Sequence, residues 1–344
     1  MKKITCVILV VGLFAAQAFA GGQNDSKEAA TFKGKNVRVV IGSTSTGGDS
    51  YLIADATTRY LGPVLGANMK VDAIGMAKAL DTMITAPSDG NTIMIFHDST
   101  YLGVLFDSYG SEYSIENMTV GPRVVQNPVA AWATYKDAPY GTAKECAEYL
   151  KANPNAISRW CLESGGVSHV GFIAYYEWVK KTYGASVASR IKVILGGSTA
   201  EKSQMLWDRN CDVIFADYTS LLQYTQTNDA KIAMKFIGLL DNVEGVNVPS
   251  YADQGITGTD GKPFRFSKDF IVYAPKGLPA SLLAELDNAL KTVCADPKFT
   301  ADLGKMMYRP AYLDSATAKK FIGDKSVSLD ILIKNAPSLD DLAK

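Results

Sequence analysis

The chain has 344 residues, of which 47% are hydrophobic and 20% are charged. This is the composition of a globular protein, and the length is sufficient for two domains. The 35 Lys and Arg residues balance 35 Asp and Glu residues, so there is no basic field that would attract nucleic acid, and we expect no nucleic-acid partner.

The N-terminal segment has the features of a targeting signal. Lys2 and Lys3 precede an apolar stretch at residues 4–16, and Ala18-Phe19-Ala20 has the small-x-small form that signal peptidase accepts. A membrane anchor is the alternative, but the stretch is short for a span of about 20 residues. The pattern therefore predicts a signal peptide at residues 1–20, cleaved after Ala20, and a mature protein in the periplasm.

The first strand and the loop after it are the most informative part of the chain. Four of the five residues at 37–41 are β-branched, which predicts a buried strand, and residues 51–61 have apolar side chains at helical spacing. Strand, small polar turn and helix direct free backbone N–H groups and the positive end of a helix dipole to one point. We interpret this point as a carboxylate site formed by the loop residues Ser43, Thr44, Ser45, Thr46, Gly47 and Gly48.

The next elements continue the alternation of strands and helices. Residues 72–85 have helical character, and residues 92–96 predict a strand. This alternation is typical of a parallel sheet, with ligands at the carboxyl ends of its strands. The residues that we expect at this edge are Gly75, His97 and Ser99.

The middle of the chain repeats the opening design. Residues 119–126 and 129–135 are extended and apolar with a crossover between them, and Thr142 caps a predicted helix that ends at residue 152. A strand at 156–162 then leads through a small polar loop to a helix at 170–183. We interpret this loop as a second candidate ligand site, with contacts from Ser164, Gly165, Gly166, Val167, Ser168 and His169.

Two further candidates follow later strands. Gly197 comes after the strand at 191–195, and Asp217 comes after the strand at 211–216. Asp217 could accept a hydrogen bond from a ligand hydroxyl or ammonium group, but it would repel a carboxylate. Residues 268–274 are extended, and helices are predicted at 280–295, 297–307 and 317–334.

Catalytic and metal chemistry have little support. The chain has two histidines and no His-Glu-x-x-His, and the loop at 42–48 lacks the Lys-Ser/Thr pair of a phosphate loop. We therefore predict no metal, no cofactor and no enzymatic activity. The cysteines downstream of the signal peptide fit either disulfides or free thiols; they are Cys146, Cys161, Cys211 and Cys294.

At this point the chain resembles the solute receptors of tripartite tricarboxylate transporters, also called Bug-type binding proteins. The match runs from about residue 35 to residue 334. It depends on Gly47 and Gly48 in the first loop and on four further motifs, which are Ala86-Pro87-Ser88-Asp89-Gly90, Ser164-Gly165-Gly166-Val167-Ser168-His169, Cys211-Asp212-Val213-Ile214-Phe215-Ala216-Asp217 and Val272-Tyr273-Ala274-Pro275-Lys276-Gly277-Leu278-Pro279.

Two departures from the family pattern bear on the ligand. Ser and Thr replace the prolines of the first loop, where Asp49 is shifted by one position. The second loop has Cys161-Leu162-Glu163 where small residues are usual. The identity of the solute therefore does not transfer from the family to this chain.

The resemblance implies an α/β chain with a two-lobed periplasmic-binding-protein fold, type II-like, whose mixed and mostly parallel sheets are joined by crossover hinge strands. Residues 33–125 and 270–344 would form lobe 1, and residues 126–269 would form lobe 2. A monomer would enclose a small carboxylate and deliver it to large and small membrane permease subunits. The alternative is a periplasmic sensor of the same fold that signals to a membrane histidine kinase.

Overall fold

The computed structural model describes residues 30–343, and the predicted signal peptide lies outside them. Two sheets carry helices on their faces, and two short 3-10 turns precede β4. In chain order the elements are β1 (Asn36–Ile41), α1 (Asp49–Leu65), β2 (Asn68–Ala73), α2 (Met76–Thr85), β3 (Thr92–Phe96), α3 (Ser99–Leu105), β4 (Met118–Asn127), β5 (Ala130–Tyr135), α4 (Ala143–Ala152), β6 (Ser158–Leu162), α5 (Val167–Tyr183), α6 (Ala185–Ala188), β7 (Ile191–Leu195), α7 (Thr199–Trp207), β8 (Val213–Asp217), α8 (Tyr218–Thr225), β9 (Met234–Leu239), β10 (Lys268–Pro275), α9 (Ala280–Cys294), α10 (Pro297–Gly304), β11 (Arg309–Leu313), α11 (Ser315–Lys334) and α12 (Leu339–Ala343).

The first sheet has six strands in the order β11-β4-β10-β3-β1-β2. Strand β1, which is next to the edge strand β2, pairs in parallel with β2 and β3, so that Val39 lies opposite Val71 and Ile93. Val39, Val40 and Ile41 of this strand are all fully buried. Burial of consecutive residues requires cover on both faces of the sheet, which explains why residues 39–41 are a continuous apolar run, whereas residues 36–38 alternate between exposed and buried.

The second sheet has five strands in the order β7-β6-β8-β5-β9. Strand β6 is parallel to β7 and β8, whereas β5 is antiparallel to β8 and β9. Its core is aromatic: the ring of Trp160 stacks on Tyr175 at 4.3 Å and meets Trp132 edge-on at 4.7 Å. Each sheet is thus mixed, with its parallel strands connected by helices.

The chain crosses between the sheets at two adjacent points. Residues 128 and 129 join β4 to β5, and β10 begins the return with Lys268, which lies opposite Asn127 in the β4–β10 register. The predicted lobe boundaries, after residues 125 and 269, fall within β4 and β10. The two-lobed α/β fold is confirmed, and we call the elements around the first sheet the first lobe and those around the second sheet the second lobe.

The C-terminal segment makes a third connection between the lobes. Helix α11 packs along β4 and also contacts α3 and α5, and α12 packs against β7 at the edge of the second sheet. The lobe bounds that the resemblance implies place residues 270–344 in lobe 1, and α12 lies in that range.

Some local predictions were wrong. The sequence predicted one helix over residues 72–85, but residues 68–73 form β2 and the helix α2 begins at Met76. Gly75 separates the two with φ 83°, a conformation that glycine adopts without strain. Helix α3 and strand β11 were not predicted, because both are short and packed by distant parts of the chain.

Two further properties concern the described chain as a whole. Within residues 30–343, no helix combines the length and apolar content that a membrane span requires. Cys146, Cys161, Cys211 and Cys294 are free thiols.

Candidate functional site

A cavity of about 450 Å³ lies between the two lobes. Its walls come from the carboxyl ends of β1 and β3 in the first sheet and of β6 and β8 in the second, and Lys268 of the returning strand contributes to it. In open α/β sheets this edge is where ligands bind, since the loops between strands and helices converge there. The cavity is therefore the candidate ligand site.

The first wall of the cavity is the beginning of α1. Gly48 is its N-cap in extended conformation, and no side chain of the described residues caps it. The first helical hydrogen bond runs from Leu52 N to Gly48 O, at 3.1 Å. The N–H groups of the preceding residues are the unpaired donors that every helix start carries, and here Gly48, Asp49 and Ser50 line the cavity.

The second wall is the beginning of α5, which has the same design. Gly166 is the N-cap, again with no side-chain cap from the part of the chain described here, and Val170 N donates to Gly166 O at 3.2 Å. Helices α4 and α7 differ, because Thr142 and Ser198 close their N-termini with capping boxes. Two helix N-termini, one from each lobe, thus present backbone donors to one cavity.

The floor of the cavity, next to the crossing strands, is charged. Lys268 forms ion pairs with Asp49 and, at 2.8 Å, with Asp217. The buried Asn127 amide donates to the same two carboxylates at 3.1 and 3.2 Å, and the Tyr308 hydroxyl donates to Asp217 at 3.3 Å. This cluster joins the start of α1, the end of β8 and both crossing strands, so it connects the two lobes.

The two acids of this cluster titrate differently. Burial opposes the ionisation of Asp49, but Lys268 and His97 outweigh it, so the pKa of Asp49 is lowered. Burial raises the pKa of Asp217 to about 6; Lys268 opposes this rise and Asp49 adds to it. The pKa of Lys268 is raised, because its two carboxylates outweigh burial.

A second ion pair lies beside α5. Lys202, whose side chain is 1% exposed, pairs with Glu163, whose side chain is 39% exposed. The other oxygen of this carboxylate accepts a hydrogen bond from Ser168 Oγ at 2.6 Å. Both charged groups line the cavity.

His97 contributes an uncharged wall. Its ring stacks on Phe96 at 4.3 Å and meets Phe270 edge-on, and its Nδ1 accepts a hydrogen bond from Ser99 N at 3.3 Å. Burial lowers the pKa of His97 to about 3, so the imidazole is neutral near pH 7 and cannot act there as a cation for a ligand.

The structure brings many of the predicted site residues together. Predicted residues of the first lobe and predicted residues of the second lobe face each other across the same cavity, which lies between the two glycine-containing loops. The predicted residues that line it are Ser43, Gly48, His97, Ser99, Ser164, Gly165, Gly166, Val167, Ser168 and Asp217.

The outer part of the first loop does not line the cavity. Thr44, Ser45, Thr46 and Gly47 are exposed, and the loop uses its hydroxyls on itself: Ser43 Oγ accepts from Ser45 N at 3.1 Å, and Ser45 Oγ accepts from Gly47 N at 3.2 Å. Such local turns satisfy the amides that a ligand would otherwise use.

Three more predicted residues lie elsewhere. Gly75 N donates to Ser43 O at 3.2 Å, and Gly197 N donates to the Glu201 carboxylate at 2.8 Å, so both amides are already occupied. His169 accepts from Gly165 N through Nδ1 at 3.3 Å, and its ring stacks on Phe106 at 4.0 Å. It orients the second loop and faces a separate cavity beneath the C-terminal segment.

Of the charged residues that line the cavity, Asp217 was predicted, whereas Asp49, Glu163, Lys202 and Lys268 were absent from the predicted site. Asp49 and Glu163 lie beside the predicted loops, and Lys268 was predicted only as the first residue of an extended segment. Lys202 gave a detectable signal, since it lies four residues before Leu206 on the buried side of α7. A lysine on the apolar stripe of a helix indicates a buried charge with a partner.

Two lobes with a cavity between them, lined by loops at the carboxyl ends of strands from both sheets, form the architecture of a solute-binding receptor. Solved structures of the same fold include the periplasmic binding protein BugD, with 20% identity, a TM-score of 0.69 and coverage of 88% of this chain and 98% of that one. Another is MatC from Rhodopseudomonas palustris with bound malate, with 16% identity, a TM-score of 0.67 and coverage of 86% and 98%. No curated relative matches this chain.

The family follows from the sequence itself. Residues 52–337 match the TctC family, described as the tripartite tricarboxylate transporter family receptor. The chain belongs to this family, whose members are periplasmic substrate-binding receptors and not enzymes.

Proposed function

We propose that this receptor captures a small carboxylate in the cavity between its lobes and delivers it to the membrane subunits of a tripartite transporter. The observation that carries this proposal is the convergence of the N-termini of α1 and α5, one from each lobe, on the same cavity. Both helices have glycine as the N-cap, with no side chain of the described residues capping them, so backbone donors remain available to an external acceptor; the Ser50 N–H also interacts with the Asp49 carboxylate.

The physical basis is anion binding by main-chain dipoles. The donors at a helix N-terminus carry partial positive charge, and a carboxylate oxygen accepts from several of them at once. Hydrogen bonds to a charged group contribute about 1.5–3 kcal/mol each. This mode of binding needs no unpaired cation, which agrees with a cavity whose two lysines are both in ion pairs.

Relatives of known structure support the ligand class. One of them is MatC with bound malate, and another R. palustris protein, 14% identical to this chain with a TM-score of 0.67 and coverage of 88% and 98%, is described with adipate. Both ligands are small carboxylates.

The fold also suggests how capture leads to delivery. We propose that the chain is exported by a signal peptide cleaved after Ala20, that it acts as a monomer, and that its lobes close by a hinge at Asn127 and Lys268. The closed form would dock on the large and small permease subunits. Uptake of the bound solute by cells that lack the receptor gene tests delivery, and a normal uptake rate in such cells would contradict it.

Ligand capture is tested by isothermal calorimetry on residues 21–344 with monocarboxylates, dicarboxylates, amino acids, sugars and phosphate. We expect at least one carboxylate to bind. Binding of a sugar or phosphate without any carboxylate would overturn the proposal.

A matched pair of variants tests the role of the backbone donors. Val167 is the first residue of α5, and Ala143 is the first residue of α4, which lies outside the cavity. Proline is tolerated at this position of a helix but has no N–H. We expect Val167→Pro to weaken carboxylate binding by about tenfold or more, the loss of one hydrogen bond to a charged group, and Ala143→Pro to leave it unchanged. Equal affinities would show that the start of α5 does not bind the ligand.

A further inference from the structure

The charges that line the cavity do not balance. Three acids, Asp49, Glu163 and Asp217, face two lysines, Lys202 and Lys268. The single histidine on the wall, His97, is neutral near pH 7 for the reason given above. With all three acids ionised, the cavity carries one net negative charge before any ligand enters.

Neither lysine is free to receive a ligand carboxylate. Lys268 is shared between Asp49 and Asp217, and these acids also take both hydrogen bonds of the Asn127 amide. Lys202 is buried against Glu163. An anionic ligand that recruited Lys268 would leave Asp49 and Asp217 buried without their cation. One that recruited Lys202 would have to compete with the Glu163 carboxylate that is already bound to it.

Glu163 already supplies a carboxylate at the second-lobe end of the cavity. It lies beside the start of α5, where its oxygens accept from the Ser168 hydroxyl and from the Lys202 ammonium group. These are the side-chain donors that the second carboxylate of a ligand extending across the cavity would otherwise use.

Resting on the function proposed above, we infer that the solute of this receptor carries a single carboxylate, that its remaining groups are neutral or cationic, and that Glu163 takes the place of a second ligand carboxylate. A dicarboxylate would add its second charge to a cavity that is already negative, with no unpaired lysine to offset it. One unit charge at about 12 Å, at the effective dielectric of a protein site, changes affinity by about tenfold.

The first experiment compares compounds of similar size that differ in charge. Butyrate, 4-aminobutyrate, succinate and propane-1,2,3-tricarboxylate are titrated into the mature protein at about pH 7.5, where all their carboxyl groups are essentially ionised. We expect butyrate or 4-aminobutyrate to bind at least about tenfold more tightly than succinate and the tricarboxylate. The first two compounds differ in the ammonium group, so their ratio shows whether the far end of the solute is neutral or cationic.

The outcomes separate this inference from the proposed function. Succinate or the tricarboxylate binding as tightly as the best monocarboxylate would overturn the inference and leave carboxylate capture intact. A broader panel in which no carboxylate binds would overturn both.

A second experiment locates the effect at Glu163. Glu163→Gln removes its charge and frees Lys202, so we expect the affinity for succinate relative to butyrate to rise by about tenfold. Glu163→Gln combined with Lys202→Met should abolish this gain.

Glu148→Gln is the matched control, because this partly exposed acid on α4 lies outside the cavity. It should leave the affinity for succinate relative to butyrate unchanged. A gain of the same size in Glu148→Gln, or no gain in a folded Glu163→Gln protein, would show that Glu163 does not set the selectivity.

Discussion

At the first-lobe end of the cavity, α1 begins at Gly48 after β1; at the second-lobe end, α5 begins at Gly166 after β6. Both ends consist of a strand, a loop of small residues and a helix of 17 residues. Each end also places an acid beside the helix start and pairs it with a buried lysine. The local sequence design is therefore used twice.

The partners of the two acids differ in where they come from. Asp49 is paired with Lys268 of a crossing strand, which also binds Asp217 of the other lobe. Glu163 is paired with Lys202 of the same lobe, and its side chain reaches solvent. The ion pairs of Asp49 thus connect the two lobes through buried charges, whereas the ion pair of Glu163 lies entirely within the second lobe. The same local motif acquires different roles from the elements packed against it.

The largest difference that we expect between the two ends is in the free energy of unfolding that is lost when each lysine is replaced. Lys268→Met leaves Asp49 and Asp217 buried without their cation, so we expect a loss of about 3–5 kcal/mol in the free energy of unfolding. Lys202→Met leaves Glu163, which water can reach, and should cost about 1 kcal/mol or less. Urea unfolding followed by circular dichroism measures both values. Similar losses would show that the two ion pairs are equivalent.

The second difference is in how much stability is lost when a glycine of each loop is replaced by alanine. Gly165 has φ 72°, and a Cβ there would lie 2.7 Å from Ser108 Oγ of the first lobe. Gly165→Ala should therefore cost about 1–2 kcal/mol in the free energy of unfolding. Gly48 has φ −91°, and a Cβ there has open space, so Gly48→Ala should stay within about 0.5 kcal/mol.

Unfolding in urea, with Gly165→Ala also made in a Ser108→Ala background, separates backbone strain from the contact with Ser108. If Gly48→Ala proved as costly as Gly165→Ala, the two loops would share a constraint that their backbone angles do not show.

The third difference concerns pH. The pKa of Asp217 is raised to about 6, so lowering the pH from about 7.5 to about 5.5 protonates most of it and removes a negative charge from the floor of the cavity. Affinity for a bound monocarboxylate should increase by up to about tenfold over this range. Asp217→Asn should make the profile flat. Calorimetry at several pH values measures both, and a profile that is unchanged in Asp217→Asn would exclude this group as its cause.

The titrations of Asp217 and Asp49 change the free energy of unfolding in opposite directions as the pH falls. Because its pKa is raised in the folded state, Asp217 contributes stability that is present below its ordinary pKa near 4 and is lost as the pH rises through about 6. Asp49, whose pKa is lowered, contributes stability that is present above about pH 4 and is lost as the pH falls through its folded-state pKa.

The smallest expected effect lies within the first loop. Ser43 lines the cavity, whereas Thr46 is exposed outside it. Ser43→Ala should weaken binding by about fivefold, the loss of one hydrogen bond to an uncharged part of the solute, and Thr46→Ala should change it by less than about twofold. A larger loss in Thr46→Ala than in Ser43→Ala, measured by calorimetry, would mean that the outer loop folds onto the ligand.

The sequence alone determined the fold class and the family. Some features are local in the chain: short apolar strands such as β1, the loops that follow them, and motifs in a fixed order. Local features of this kind can be recognised from one sequence. For the same reason, the loops at the two helix starts could be proposed as walls of one cavity before any coordinates were known. The Thr142 cap of α4 was predicted correctly because a capping box lies within four consecutive residues.

Only the tertiary structure decided which residues of those loops face the cavity and which charges meet there. Asp49 and Lys268 are 219 positions apart, and no periodicity or spacing connects two residues that become neighbours only when the crossing strands pair. Thr46 lies outside the cavity because of hydrogen-bonded turns within the first loop. His169 lies outside it because its ring accepts from Gly165 N and stacks on Phe106. The selectivity inferred for the solute depends on these long-range ion pairs, because a buried charge is defined by what is packed around it and not by its place in the chain.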